Sequence, residues 1–213
     1  AVIPLPTEPW GATQDDWTHF TLFLGLTPDL LPVVSNPKAI KSPDSKLQGP
    51  GKTPSRYNGD RQMVGIAKWT EKVSTDAEVA RWAKEPDYGI CLQTRTVRAL
   101  DVDVSDITEA AAIQEFIDQR LGLSLPIRIR QNSSKFLHGF TMPGDFTKRR
   151  IKTQHGVVEF LATGQQFVAC GTHTSGVRYE WVGGLPDEFP TLDVAEFEAL
   201  WLALEKRFGG HGK

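Results

Sequence analysis

The sequence predicts an α+β fold in which a mostly antiparallel sheet packs against helices on one of its faces. Three observations support this prediction. Residues 97–104 alternate apolar and polar side chains, which is typical of a strand with one buried face. Residues 107–121 carry apolar side chains at helical spacing, and several short strand-like segments follow them. A second long helix is predicted near the end of the chain, over 194–208.

The first third of the chain predicts less regular structure. Residues 1–35 contain two tryptophans and an apolar run, and Asp15 and Asp16 can cap a short helix, which indicates a helical or irregular packing layer. In residues 36–62, Pro, Gly, Ser, Asn and Lys dominate and hydrophobic periodicity is lost, which predicts a long basic loop. The loop is either solvated or in contact with phosphate groups.

The other elements are predicted from the residues at their ends. Thr75 and Glu78 form a capping box at the start of a short helix. Gly122 is a suitable C-cap for the helix over 107–121, and Asp193 can cap the last helix. Strands are predicted over 88–92, 97–104, 127–131, 136–141, 156–161, 166–171 and 177–182.

The composition is that of an ordinary soluble globular protein. With 213 residues the chain is long enough for one domain, or one domain in two lobes, and its net charge of −2 indicates no general affinity for nucleic acid. Cys91 and Cys170 lie in apolar runs and are interpreted as reduced core residues of a cytoplasmic protein. No membrane-spanning run or signal peptide is predicted, and residues 209–213 are expected to be a disordered end or a cloning remnant.

The strand over 97–104 holds the first candidate site. Its alternation places Leu100 and Val102 in the core and both Asp101 and Asp103 on the opposite face. Two carboxylates about 6.5–7 Å apart along a strand repel one another unless a cation lies between them. Oxygen-only ligands favour Mg or Mn over Zn. The alternative is a solvated strand end.

A third carboxylate occurs in a similar setting. Glu159 is flanked by apolar residues in the strand over 156–161. If the two strands are neighbours, three carboxylates converge, and such a group fits two-metal phosphoryl transfer. The alternative is that Glu159 belongs to the hydrated side of its strand.

Two further segments could bind phosphate. Ser133, Ser134 and Lys135 form a turn with hydroxyls, amides and a cation, all suited to phosphate oxygens. His138 follows within a strand, where it either donates to the same phosphate or is a core histidine between Phe136 and Phe140. The pattern alone slightly favours the core histidine.

Three more groups are candidates for contact with a nucleotide or with DNA. The basic run of Lys148, Arg149, Arg150 and Lys152 is either a solvated face or a contact surface for a template backbone. Residues 170–181 form either a plain hairpin or a nucleotide-contacting loop. Lys52 lies in the segment Gly49-Pro50-Gly51-Lys52-Thr53-Pro54, which lacks the Gly-x4-Gly-Lys-Ser/Thr spacing of a P-loop.

Taken in order, these segments resemble the bifunctional DNA primase/polymerase (prim-pol) domain of the archaeo-eukaryotic primase superfamily, found in phage and plasmid replication proteins. The resemblance covers roughly the middle two-thirds of the chain. It is carried by Gly51-Lys52-Thr53-Pro54, Trp69, Tyr88-Gly89-Ile90, Leu100-Asp101-Val102-Asp103-Val104, the segment from Ser133 to His138, Val158-Glu159-Phe160, Gly164-Gln165-Gln166, and the segment from Gly171-Thr172-His173 to Trp181.

The resemblance implies an RRM-like catalytic sheet joined to a smaller N-terminal α/β lobe, with residues 1–208 as a single catalytic domain. It implies that Asp101, Asp103 and Glu159 bind metal and that His138 binds the phosphates of the incoming nucleotide. The other residues expected to bind the nucleotide are Ser133, Ser134, Lys135, Lys52, Thr172 and His173. The chain departs from the family pattern at Phe136, where Gly or Ser is common, and it lacks the cysteines of a zinc insert.

The implied activity is template-directed nucleotidyl transfer. Such an enzyme synthesises primers de novo and extends DNA from nucleoside triphosphates on a single-stranded DNA template, using two Mg or Mn ions. A fused or separate helicase is an expected partner, and the expected location is the cytoplasm of a bacterial host. Two alternatives are a non-catalytic RRM-like module that binds single-stranded nucleic acid and a metal-dependent nuclease.

Overall fold

The computed structural model describes residues 9–211 and confirms an α+β fold with mostly antiparallel strands. The described residues form four α-helices: Gln14–Thr18 (α1), Asp76–Trp82 (α2), Ile107–Leu121 (α3) and Val194–Phe208 (α4). They form eleven strands: Leu30–Val34 (β1), Ser55–Tyr57 (β2), Met63–Gly65 (β3), Tyr88–Gln93 (β4), Val97–Val104 (β5), Ile127–Ile129 (β6), Phe136–Thr141 (β7), Arg149–Lys152 (β8), Gly156–Leu161 (β9), Gln166–Cys170 (β10) and Glu180–Trp181 (β11).

Contacts divide the chain into two units. The first holds residues up to Cys91 together with Val168–Arg178, and the second holds Leu92–Phe167 together with residues from Tyr179 onward. Of the predicted end segment 209–213, the structure describes residues 209–211. Gly209 caps α4 by donating its backbone N–H to Glu205 O. Residues 212 and 213, like residues 1–8, lie outside the described part.

The second unit is built on a six-stranded antiparallel sheet in the order β11-β6-β7-β5-β9-β8. Helices α3 and α4 pack on one face and bury the apolar side chains of the central strands. The side chains of this core include Leu100, Val102, Val104, Ile113, Ile117, Phe140, Val158, Phe160, Phe197, Leu200 and Leu204. The other face of β5 carries the polar residues of the alternating pattern.

Both long helices have the predicted bounds. Asp106 caps α3 by accepting a hydrogen bond from Glu109 N at 2.8 Å, and Gly122 ends it with a φ of 66°, where a side chain would be strained. Asp193 occupies the N-cap position of α4 without a side-chain hydrogen bond. The predicted capping box of α2, from Thr75 to Glu78, is present.

The first unit contains a three-stranded sheet in the order β1-β4-β10. Its strand β1 was not predicted within residues 1–35, because all five side chains are buried and the sequence therefore shows no alternation. The predicted loop over 36–62 is anchored rather than a free arm, since Leu47 and Pro54 are buried and β2 pairs with β3. Among the described residues, no helix has the length and apolar character needed to cross a membrane.

Candidate active site

Three carboxylates share the open face of the six-stranded sheet. Asp101 on β5 lies directly opposite Glu159 on the neighbouring antiparallel strand β9, and directly opposed residues point to the same face, about 4.5–5.5 Å apart. Asp103 follows two residues later on β5 and therefore shares that face. The two strands are thus neighbours, as the prediction required, and the three carboxylates share one face. Their role as metal ligands stays a prediction.

The group concentrates negative charge. Burial, together with the nearby carboxylates of Glu159 and Asp103, raises the pKa of Asp101 to about 6, and the positive charges of Arg128 and Lys135 oppose this rise. Desolvation and like charges both disfavour the ionised form. A cation at this face would reverse the effect of the like charges.

Two lysines supply positive charge to the outer carboxylates. Lys135 Nζ lies 2.7 Å from Asp103 Oδ1, and Lys148 Nζ lies 2.8 Å from Glu159 Oε2. Lys135 immediately precedes β7 and Lys148 immediately precedes β8, so each comes from a strand that flanks β5 or β9. The lysines therefore approach the carboxylates from both sides.

The predicted phosphate-binding turn is held against the end of β5. Ser134 Oγ donates to Val104 O at 2.8 Å, and Ser133 Oγ accepts from the backbone N–H of Lys135 at 3.1 Å. These hydrogen bonds fix the backbone of the turn beside Asp103. The lysine head, rather than the two hydroxyls, faces the carboxylates.

His138 lies on the other face of the sheet. It is the cross-strand partner of Leu100, which points into the core beneath the helices. Its side chain is 1% exposed, its Nδ1 donates to Pro126 O at 3.3 Å, and burial lowers its pKa to about 4, so that it is neutral at pH 7. The His138 imidazole therefore lies on the face opposite the carboxylates, and its contact with a nucleotide stays a prediction.

The basic run is divided between the two faces. Arg149 pairs with both carboxylate oxygens of Glu198 on α4, at 2.8 and 2.6 Å, on the helix side. Arg150 lies opposite Glu159 on the open face, and Lys152 follows two residues later on that face. The Arg149 guanidinium is thus paired within the chain on the helix side, and its contact with DNA stays a prediction. Lys148, Arg150 and Lys152 are exposed.

Arg128 is a residue of this face that the sequence argument missed. It lies opposite Leu137, which in turn lies opposite Asp101, so the three form one row across the sheet. Its guanidinium lies 4.4 Å from the ring centre of Tyr179. The alternation of apolar and basic residues over 127–130 contained the signal, because it places the arginines on the face opposite the core.

Three predicted nucleotide contacts belong to the first unit. Thr172 is buried and its hydroxyl donates to Trp10 O at 2.6 Å, so this hydroxyl supports the local fold. His173 Nδ1 accepts from Ser175 N at 3.0 Å within a tight turn. This turn lies beside the loop of Lys52, since a Cβ added at Gly51 would be 2.8 Å from Thr174 Cγ2. A cavity of about 110 Å³ is lined by both segments.

The donor chemistry of the open face fits a hard divalent cation. Within residues 9–211, no three His, Cys, Asp or Glu side chains form a group that could hold a metal ion as they are placed. Asp103 and Glu159 each direct an oxygen to a lysine, and both ion pairs are partly exposed. Asp101, Asp103 and Glu159 are the residues that would hold the ions.

A family model described as the N-terminal domain of bifunctional DNA primase/polymerases (Prim-Pol) matches residues 1–195. The chain belongs to the prim-pol family. Membership implies nucleotidyl transfer in general, with DNA as template and nucleotides as substrates. The match includes β5, β7 and β9, and therefore every residue of the carboxylate site in this prim-pol domain. A search of curated proteins gives no significant match.

Proposed function

We propose that this prim-pol domain starts primers de novo and extends them with nucleoside triphosphates on single-stranded DNA. The observation that carries the proposal is the register that pairs Asp101 with Glu159 and leaves Asp103 on the same face. In a primase/polymerase, a carboxylate group next to basic side chains is suited to phosphoryl transfer.

The proposed cofactors are two Mg or Mn ions held by Asp101, Asp103 and Glu159. When bound, they would activate the attacking hydroxyl and neutralise the triphosphate. The neighbouring side chains would bind and orient the nucleotide. Lys135 is placed for phosphate oxygens of the nucleotide, and Ser133 and Ser134 hold its turn in position.

The proposed path of the nucleic acid runs beside β8. Lys148, Arg150 and Lys152 are exposed at this edge strand, and Arg150 lies opposite Glu159. Contacts of this type attract phosphate without reading sequence, and the resulting affinity decreases with salt. The template or the growing strand would thus be held next to the carboxylates. A helicase, fused or separate, would act on the same DNA.

The test is incubation with a single-stranded DNA template, labelled nucleoside triphosphates and Mg or Mn, without primer. Labelled products that depend on template and on divalent ions are expected. A second reaction with an annealed primer separates initiation from extension. Extension without de novo products would restrict the proposal to a polymerase, and the absence of both would overturn it.

One alternative has an observation in its favour. The lysine pairs at Asp103 and Glu159, together with the buried position of His138, are compatible with a module that binds single-stranded DNA without catalysis. Such a module would bind the template as tightly with EDTA as with Mg. It would give no product under any condition of the assay.

A further inference from the structure

The lysine pairs differ from ordinary surface ion pairs in their placement. Both engage carboxylates that the proposed function assigns to metal ions, and Asp101, between those carboxylates, faces Glu159 directly. Lys135 is far from Asp103 in sequence, and Lys148 reaches Glu159 from the start of the edge strand β8. The pairing of β5 with β7 brings Lys135 to Asp103, and the hairpin of β8 and β9 brings Lys148 to Glu159.

An ammonium and a divalent ion compete for these carboxylates. Lys135 Nζ is 2.7 Å from Asp103 Oδ1 and Lys148 Nζ is 2.8 Å from Glu159 Oε2. A divalent ion requires the same oxygens at about 2.0–2.1 Å for Mg, and a positive charge that close would repel it. Each lysine therefore competes with a divalent ion for its carboxylate and lowers the affinity of that carboxylate for the ion.

Both lysines can leave at small cost. The side chains of Lys135 and Lys148 are 44% and 43% exposed, and ion pairs of this exposure contribute little to stability. The hydrogen bonds of Ser133 and Ser134 hold the backbone of the Lys135 turn. Release thus requires only rotation of side-chain torsions, and the freed ammonium stays close to the site.

We propose that Lys135 and Lys148 are exchangeable counterions that couple the entry of divalent ions to the binding of a triphosphate. This inference rests on the proposed function. Each lysine neutralises a carboxylate until a metal ion displaces it, and the triphosphate that arrives with the metal provides new oxygens for the released ammonium. Metal ions alone must compete with the lysines, whereas metal and nucleotide together satisfy all charges. The two lysines are positioning residues for the phosphates.

The test measures Mn²⁺ binding to the protein by the loss of the EPR signal of free Mn²⁺. Titrations are made without nucleotide and with a non-hydrolysable deoxynucleoside triphosphate analogue. The variants are Lys135→Met, Lys148→Met and the double variant, each checked by its melting temperature. Lys135→Gln and Lys148→Gln provide a second, polar substitution. Lys152→Met is the matched control, because it removes the same charge from the open side of β8, where the described residues show no salt bridge between Lys152 and a carboxylate.

Without nucleotide, each substitution is expected to raise the affinity for Mn²⁺ by about three- to fivefold, which corresponds to the contribution of one exposed ion pair. The enhancement of Mn²⁺ affinity by the analogue should decrease by a similar factor. Lys152→Met should change both quantities less than twofold.

The outcomes separate this inference from the proposed function. If the lysine variants bind Mn²⁺ as the wild type does, and the wild type incorporates nucleotides, the counterion inference is overturned and the proposed function stands. A higher Mn²⁺ affinity with an unchanged enhancement by the analogue would overturn the coupling. A wild type that binds no Mn²⁺ in either titration and makes no product would overturn both proposals.

Discussion

The two faces of the six-stranded sheet carry similar residue types and use them differently. On the helix side, His138 is buried and neutral, and Arg149 is paired with Glu198. On the open side, Asp103 and Glu159 are paired with partly exposed lysines. Solvent access separates His138, which is 1% exposed, from the other groups, whereas the Arg149–Glu198 pair is about as exposed as the two lysine pairs. A histidine buried under the helices is neutral, whereas a partly exposed ion pair on either face can exchange its partner.

This comparison teaches that residue type alone does not identify the site. A histidine and an arginine on the strands that flank the carboxylates face the helices, and lysines that immediately precede two strands reach the carboxylates. The decisive quantity is the strand register, because a shift by one residue moves a side chain to the other face.

The largest expected effect is the loss of activity on substitution of a carboxylate of the open face. Replacing Asp101 by Asn should reduce nucleotide incorporation by at least about 100-fold, since a loss of several kcal/mol of transition-state stabilisation has this effect on rate. The melting temperature at pH 7 should stay the same or rise. The pKa of Asp101 is raised to about 6 in the fold, so its ionised form opposes folding at pH values above 6, and Asn removes that charge.

Primer-extension rates and calorimetric melting temperatures are the measurements. Glu205→Gln on the exposed side of α4 is the control, with the same loss of one negative charge. Full activity of Asp101→Asn would contradict the assignment of the carboxylate site.

The second largest expected effect is the pH dependence of stability that His138 produces on the helix side of the sheet. The pKa of His138 is about 4 in the fold and 6.5 for an unperturbed histidine. Its neutral form therefore contributes stability above pH 6.5, and this contribution is lost as the pH falls towards 4, by up to roughly 3 kcal/mol. His138→Leu should remove this acid sensitivity and change the KM for nucleotide less than about threefold, because no phosphate contact is lost.

Urea unfolding at pH 7 and pH 4.5 gives the stability, and steady-state extension gives KM. His155→Gln, at an exposed position, is the control for histidine titration in general. A large rise in KM with unchanged acid stability would return His138 to the phosphate-binding role.

The smallest effects come from two neighbours on β8 that point to opposite faces. Arg149→Met should lower the free energy of unfolding by about 0.5–1 kcal/mol, because its ion pair with Glu198 is partly exposed, and should leave DNA binding unchanged. Arg150→Met should leave stability unchanged and reduce the slope of log K against log salt for single-stranded DNA by about 1.

Each of the two arginine variants is the control for the other. Fluorescence anisotropy with a labelled oligonucleotide at several salt concentrations measures the slope. An altered slope in Arg149→Met, with none in Arg150→Met, would contradict the assignment of faces.

Several elements were predictable because their signals are local. The bounds of α3 follow from apolar spacing and from Gly122, and the strand β5 follows from its alternation. The same alternation placed Asp101 and Asp103 on one face. By contrast, β1 has no alternation because it is buried on both faces, and β8 was interpreted only as a charged run. Local patterns contain no information about such strands.

The chain by itself determined the α+β class, the long helices and the set of acidic residues, because periodicity and capping depend on near neighbours in sequence. The tertiary structure decided which side chains meet. The pairing of β5 with β9 brings Glu159 to Asp101, and the pairing of β5 with β7 turns His138 into the core. The register between β5 and β9 decides the first contact, whereas the buried position of His138 also agrees with its alternation with Phe136 and Phe140 in β7.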